Sequence, residues 1–121
     1  MGEDMTLPLS PEILKAAYIF LSETQPFNKW NLPDADEIKF KVVRSMADRG
    51  WHTFDGKHHI ICISQNTIGH TFSLITCMAH EIIHVHENNV GIRRSDVEHG
   101  AAFWKWAEQV CRIHGFDPKT F

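Results

Sequence analysis

"MAHEIIHVHENN", residues 78–89, sets three histidines and two glutamates among apolar residues. The spacing predicts a helix from about Ile68 to Asn88. At 3.6 residues per turn, His80 and His84 lie roughly 40° apart around the axis and one turn apart along it, so both imidazoles reach one ion. Glu81 sits beside them, within reach of a water on that ion. Ile75, Met78, Ile82 and Val85 fall on the opposite side, and Cys77, Ala79 and Ile83 add apolar flanks. A helix apolar around most of its girth is largely buried, and histidines buried with it need partners. His86 lies about 200° from His84 and cannot join the same ion. Asn88, Asn89 and Gly91 end the helix.

HEIIH is thus the HExxH pattern, two metal ligands and a general base on one helix. In a chain with nine histidines, five residues do not by themselves separate a metal site from a satisfied pair of core histidines. A third ligand is needed. The metzincin pattern requires Gly at 87 and His at 90. Glu87 and Val90 stand there, which excludes that class. Downstream, "SDVEHGAAFWKWAEQVCRIHGF" reads as a helix opened by a Ser95–Glu98 capping box. Val97, Ala101, Trp104, Ala107 and Cys111 follow at helical spacing, with Phe103, Trp106, Val110 and Ile113 widening the face. Gly115 closes it and Pro118 prevents resumption. His99 falls in the first turn, and the intervening loop is long enough to fold it back over HEIIH. Three neutral imidazoles hold a zinc ion with a fourth position open, the arrangement of catalytic zinc sites.

The remaining elements follow from local chemistry. Ser10 is an N-cap and Pro11 a first-turn residue for a helix with Ile13, Ala17, Phe20 and Leu21 as its apolar stripe. "EIKFKVV" alternates Ile38, Phe40 and Val42 on one face, as a half-buried strand does. "DRG" (48–50) reads as a turn. "WHTF" and "KHHIICIS" flank Asp55-Gly56, a hairpin signal. The expected fold is α+β: an N-terminal helix, a small antiparallel sheet of about three strands, the HExxH helix and a C-terminal helix, in a zincin-like order.

At 121 residues the chain reads as one domain, 1–121. Its 43% hydrophobic and 22% charged residues are those of a globular protein. No apolar run reaches membrane-span length, and "MGEDMTLPLS" does not read as a secretory signal. Cys62, Cys77 and Cys111 are far apart and odd in number, which argues against a disulfide framework or zinc ribbon and for a reducing, cytoplasmic setting. A formal charge of −3 gives no general attraction to nucleic acid or anionic membrane.

"HEIIHVHENNVGIRRSDVEHGAAFWKWAEQV" resembles the SprT-like metalloprotease domain of the Spartan family. That family has HExxH on one helix, an Asn-containing loop, and His-Gly-x-x-Phe opening the next helix, here His99-Gly100-Ala101-Ala102-Phe103. The resemblance covers about residues 60–113. It implies His80, His84 and His99 as zinc ligands, Glu81 as catalytic base, and proteolysis of protein substrates, including proteins bound to DNA. Zinc lowers the pKa of bound water and polarises the scissile carbonyl, while the glutamate moves the proton. An oxyanion stabiliser is expected, with Arg94, His52 and His114 as weak candidates, each of which reads first as a surface or packing residue. DNA as partner follows from the resemblance alone: Arg93 and Arg94 are a small basic patch, and no cysteine ribbon accompanies them. Two further classes stay open, another zinc-dependent hydrolase on the same site and a non-catalytic interaction protein that uses zinc to fold.

Overall fold

The computed structural model describes residues 8–92 and 99–121. In chain order these form α1 (Pro11–Ser22), β1 (Ile38–Val43), β2 (Gly50–Phe54), β3 (His59–Ser64), α2 (Thr71–Asn89) and α3 (Ala101–His114). An N-terminal helix, a three-stranded sheet, an HExxH-bearing helix and a C-terminal helix make the α+β, zincin-like topology expected. The Ser95–Glu98 capping box, Val97, Arg93 and Arg94 lie outside the described residues, as do the first seven residues.

α1 begins as expected. Ser10 Oγ accepts the Ile13 N–H at 3.2 Å, with Pro11 next in line. The buried stripe, however, is Leu14, Ala17, Tyr18 and Leu21, while Phe20 is 56% exposed. Counting from Leu14 gives the i, i+3, i+4, i+7 spacing of one helical face, which Phe20 does not share. The Tyr18 hydroxyl donates to the Pro33 carbonyl at 2.6 Å, tying α1 to the loop before β1.

The sheet is mixed, not antiparallel, with strand order β1-β3-β2. β2 and β3 form the expected antiparallel hairpin. Asp55 Oδ1 accepts the Lys57 and His58 N–H groups, and Gly56 takes a positive φ of 96° at the tip. β1 pairs with β3 in parallel. Neighbours in sequence usually pair, and an antiparallel sheet of about three strands was expected. Here residues 44–49 carry the chain past the end of β3 to its far side. The crossing is pinned at Ser64, whose hydroxyl donates to the Ser45 carbonyl at 2.7 Å and accepts the Ser45 N–H at 2.9 Å. The Ser64 N–H donates to the Arg49 carbonyl at 2.7 Å. Gly50 consequently belongs to β2 and not to a turn. A Cβ at Gly50 would stand 2.6 Å from the Cys62 carbonyl oxygen and 3.2 Å from Cys77 Sγ of α2, so this approach of chain segments admits only glycine.

Alternation puts Ile38, Phe40 and Val42 of β1 in one layer with His59, Ile61 and Ile63 of β3 and with Gly50, His52 and Phe54 of β2. α1 and α2 pack on the sheet, and α3 packs on α2. α2 therefore lies between the sheet and α3, and its Met78, Ala79, Ile82, Ile83 and Val85 are fully buried. It starts three residues later than expected, at Thr71, and ends where expected, with Gly91 at φ 82°. Among the described residues no helix is long and apolar enough to cross a membrane.

α3 starts at Ala101 with Gly100 as its N-cap, so His99 stands just before the helix and not within its first turn. Its buried face is Phe103, Ala107, Val110 and Cys111, with Trp104 and Ile113 45% and 43% exposed. Gly115, at φ 79°, closes the helix: its N–H and that of Phe116 both donate to the Cys111 carbonyl. Cys62, Cys77 and Cys111 are all free and buried.

Candidate metal centre

α2 holds His80 and His84 one turn apart, and the turn into α3 brings His99 against them. Ligand atoms of the three histidines all lie within 4.8 Å of one another. His80 Nε2 and His99 Nε2 are 3.1 Å apart. Tetrahedral zinc with Zn–N bonds of 2.0–2.1 Å separates its donors by about 3.3 Å, so this pair already spans one edge of such a site.

The outer nitrogens of the two α2 ligands are engaged. His80 Nδ1 lies 2.8 Å from a main-chain oxygen of Phe121, and His84 Nδ1 lies 2.6 Å from Glu87 Oε1. Each acceptor requires a proton on Nδ1 and leaves Nε2 as the lone-pair donor, the tautomer a metal needs. The residues fit zinc on three counts: three imidazoles converge, one donor pair has tetrahedral spacing, and the outer nitrogens are oriented. His80, Glu81, His84 and His99 form a clustered site with the HExxH…H signature of zinc proteases.

Phe103 explains the Phe of the His-Gly-x-x-Phe segment. Its ring, fully buried, packs against His99, His84 and His80 at centroid distances of 4.4, 4.8 and 4.8 Å. Four residues after His99, in the first turn of α3, it packs against all three imidazoles. The sequence placed Phe103 on an apolar face and four residues after His99, but did not place it against His80 and His84.

Glu81 is 4% exposed and lines a cavity of about 240 Å³ with His80, Arg49, Gly50, Thr76, Cys77, Thr120 and Phe121. Burial, with the Glu81 carboxylate adding to it, pushes the Cys77 thiol well above its ordinary range. On the other side of His84, a cavity of about 580 Å³ is lined by His52, Thr53, Phe54, Glu87, Asn88, Gly91 and Ile92. The cluster thus has space on both sides, between the edge strand β2 and helix α2.

The oxyanion candidates separate. His52 is buried on β2 beside the site, its ring parallel to that of His84 at 6.5 Å. Its Nε2 lies 2.9 Å from His59 Nδ1, and His59 Nε2 lies 3.0 Å from Asn89 Oδ1. Burial holds the His59 pKa below its ordinary value, and the bond to Asn89 opposes that shift. His114 is remote: its Nε2 bonds to the Gln25 carbonyl at 2.7 Å at the far end of α3. Arg94 lies outside the described residues. His86 is no part of the cluster; it is buried between Trp30 and Trp106, at 4.4 and 4.5 Å.

Glu87, Phe103 and Phe121 were not foreseen as parts of the site. Glu87 was within reach of inference, because residues three apart share a helix face. Phe121 was not, because nothing local links it to His80. No protein-family model matches the chain, and no curated protein matches its sequence.

Proposed function

We propose that this chain is a zinc-dependent endopeptidase of the SprT-like kind, acting on protein substrates, with His80, His84 and His99 as zinc ligands and Glu81 as general base. The observation that carries the reading is the convergence of three imidazoles within 4.8 Å beside a glutamate only 4% exposed. The HExxH…HGxxF spacing adds the family resemblance. Bound zinc supplies Lewis acidity toward a carbonyl and an attacking water. The protein's own groups do the rest. Glu87 and a main-chain oxygen of Phe121 accept from the Nδ1 atoms of His84 and His80, which leaves the Nε2 atoms of both for one ion. Glu81 takes a proton from the attacking water and delivers it to the departing amine. Its burial keeps bulk water from competing for that proton. The cavities flanking the cluster give an extended chain room to lie across it. Proteins bound to DNA are the substrates to which the resemblance points, with recruitment through a partner in place of the chain's own charge of −3.

The test is Glu81→Gln, which keeps the side-chain size and removes the base. The variant retains one zinc per chain and near-native stability, and its cleavage of an unfolded protein falls by about 10² to 10⁴. A Glu81→Gln protein as active as the parent removes Glu81 from the mechanism and with it the peptidase reading.

A further inference from the structure

Two apolar side chains line the larger cavity beside His84 and remain well exposed. Phe54 ends β2. It stands two residues after His52, so the rise of the strand sets it about 7 Å further along the same face. α2 closes over β2 at Gly50, where Cys77 Sγ comes near, but not over its last residue. The Phe54 ring meets the His59 ring at 4.8 Å and is still 41% exposed. Ile92 comes from the α2 side. Gly91 turns the chain at φ 82°, its N–H donates to the Asn88 carbonyl at 3.1 Å, and the Ile92 N–H donates to the Glu87 carbonyl at 2.9 Å. This pair of bonds is the Schellman helix stop, in which the residue at the place of Ile92 commonly packs on an apolar side chain at the place of Glu87. Here that place holds a carboxylate, 3% exposed and bonded to His84. Ile92 therefore has its backbone fixed against the helix and its side chain 42% exposed.

We propose that Phe54 and Ile92 are specificity residues of the metal centre: they wall a subsite that takes an apolar side chain, of leucine or phenylalanine size, from the substrate beside the bond that is cut. The inference rests on the peptidase reading above and adds which substrates are preferred. The cavity, about 580 Å³, has the size of a ligand pocket and shares His84 with the metal cluster. Glu87 is the one carboxylate among its described lining residues, and no lysine or arginine is among them. That carboxylate is turned to His84, so the cavity offers an entering side chain apolar surface and no exposed charge. An apolar side chain gains by leaving water there, whereas a carboxylate or ammonium group would lose hydration without a partner. Because both walls stay partly wet, the preference sits at the low end for an apolar pocket, about tenfold.

Peptides of one sequence, varied at single positions to leucine, aspartate or lysine, test this with the zinc-loaded chain. Cut sites and kcat/KM are read by mass spectrometry. At one position flanking the cut, leucine is favoured over aspartate by about tenfold. Phe54→Ala brings that ratio near one. Ile92→Lys, at an exposed position, turns it toward aspartate, a reversal that loss of packing alone does not produce. Melting temperatures control for folding. In Glu81→Gln, methyl NMR gives a readout without turnover: the Ile92 methyl signals shift on adding the leucine peptide and not the aspartate peptide. Cleavage with no side-chain preference, a preference for lysine at that position, an unchanged ratio in the folded variants, or an unmoved Ile92 signal at saturation overturns the inference alone. A zinc-loaded intact chain that cuts no peptide and no unfolded protein overturns the peptidase reading, and the inference with it.

Discussion

Glu87 offers the most direct quantitative test of how the site is built. It is 3% exposed, His84 is 2% exposed, and 2.6 Å separates their bonded atoms. Glu87→Gln preserves an acceptor of the same shape and removes the charge. Charge-assisted hydrogen bonds are roughly twice as strong as neutral ones, and bonds to charged groups contribute about 1.5–3 kcal/mol. The expected loss is therefore about 1.4 kcal/mol, or tenfold in zinc Kd. Glu87→Ala removes the acceptor altogether. It lowers affinity by up to about 100-fold, near 2.7 kcal/mol. It also leaves the Nδ1–H of His84 buried without that partner, at about 1–3 kcal/mol of stability. Chelator competition gives the first quantity and urea unfolding of the zinc-free protein the second. A Glu87→Ala protein that binds zinc as tightly as the parent would show that the pair serves folding only, and would refute the orienting role assigned here.

Zinc removal is expected to lower the melting temperature, because a ligand held only by the native state stabilises it by about 2.7 kcal/mol at 100 times its Kd; differential scanning calorimetry with and without a strong chelator measures it, and coincident transitions count against the site. Gly50→Ala should destabilise by about 1–3 kcal/mol, since its Cβ would press on a β3 carbonyl that moves only with the sheet; chemical unfolding of the variant checks this. Acid should weaken the fold through His59, which faces His52 from β2 and Asn89 from α2 and lines a surface cavity with Asp34, Glu37 and Lys57. Its folded pKa is depressed, so its neutral form is stabilised by folding; that contribution is whole above about pH 6.5 and is lost as pH falls from there toward the folded value. His59→Gln should flatten the stability profile in that window, and an unchanged slope would assign the acid sensitivity to other groups.

Much of the site was legible because it is local. HEIIH puts two imidazoles and a carboxylate on one face by helical period alone, and the hairpin at Asp55-Gly56 and the helix stops at Gly91 and Gly115 follow from backbone conformations that glycine tolerates. The downstream His99 was legible by spacing and resemblance, though its place before α3 and not inside it was not. The helix faces were read less well. Apolar residues outnumber the buried positions on α1 and α3, so the pattern admits several stripes, and only packing decides that Leu14 and Tyr18 go in while Phe20 and Trp104 stay out.

What the sequence by itself determined is the set of short-range decisions: which segments are helices, where they stop, and which three histidines come together. Tertiary structure alone decided how those segments meet. The parallel pairing of β1 with β3 depends on a crossing pinned at Ser64, and no strand's own pattern encodes its neighbour. The same holds for Phe103 against three imidazoles and for the main-chain oxygen of Phe121 on His80. Main-chain oxygens are present at every residue, so the contact of one of them with a histidine has no sequence signature and arises only from where the fold delivers it.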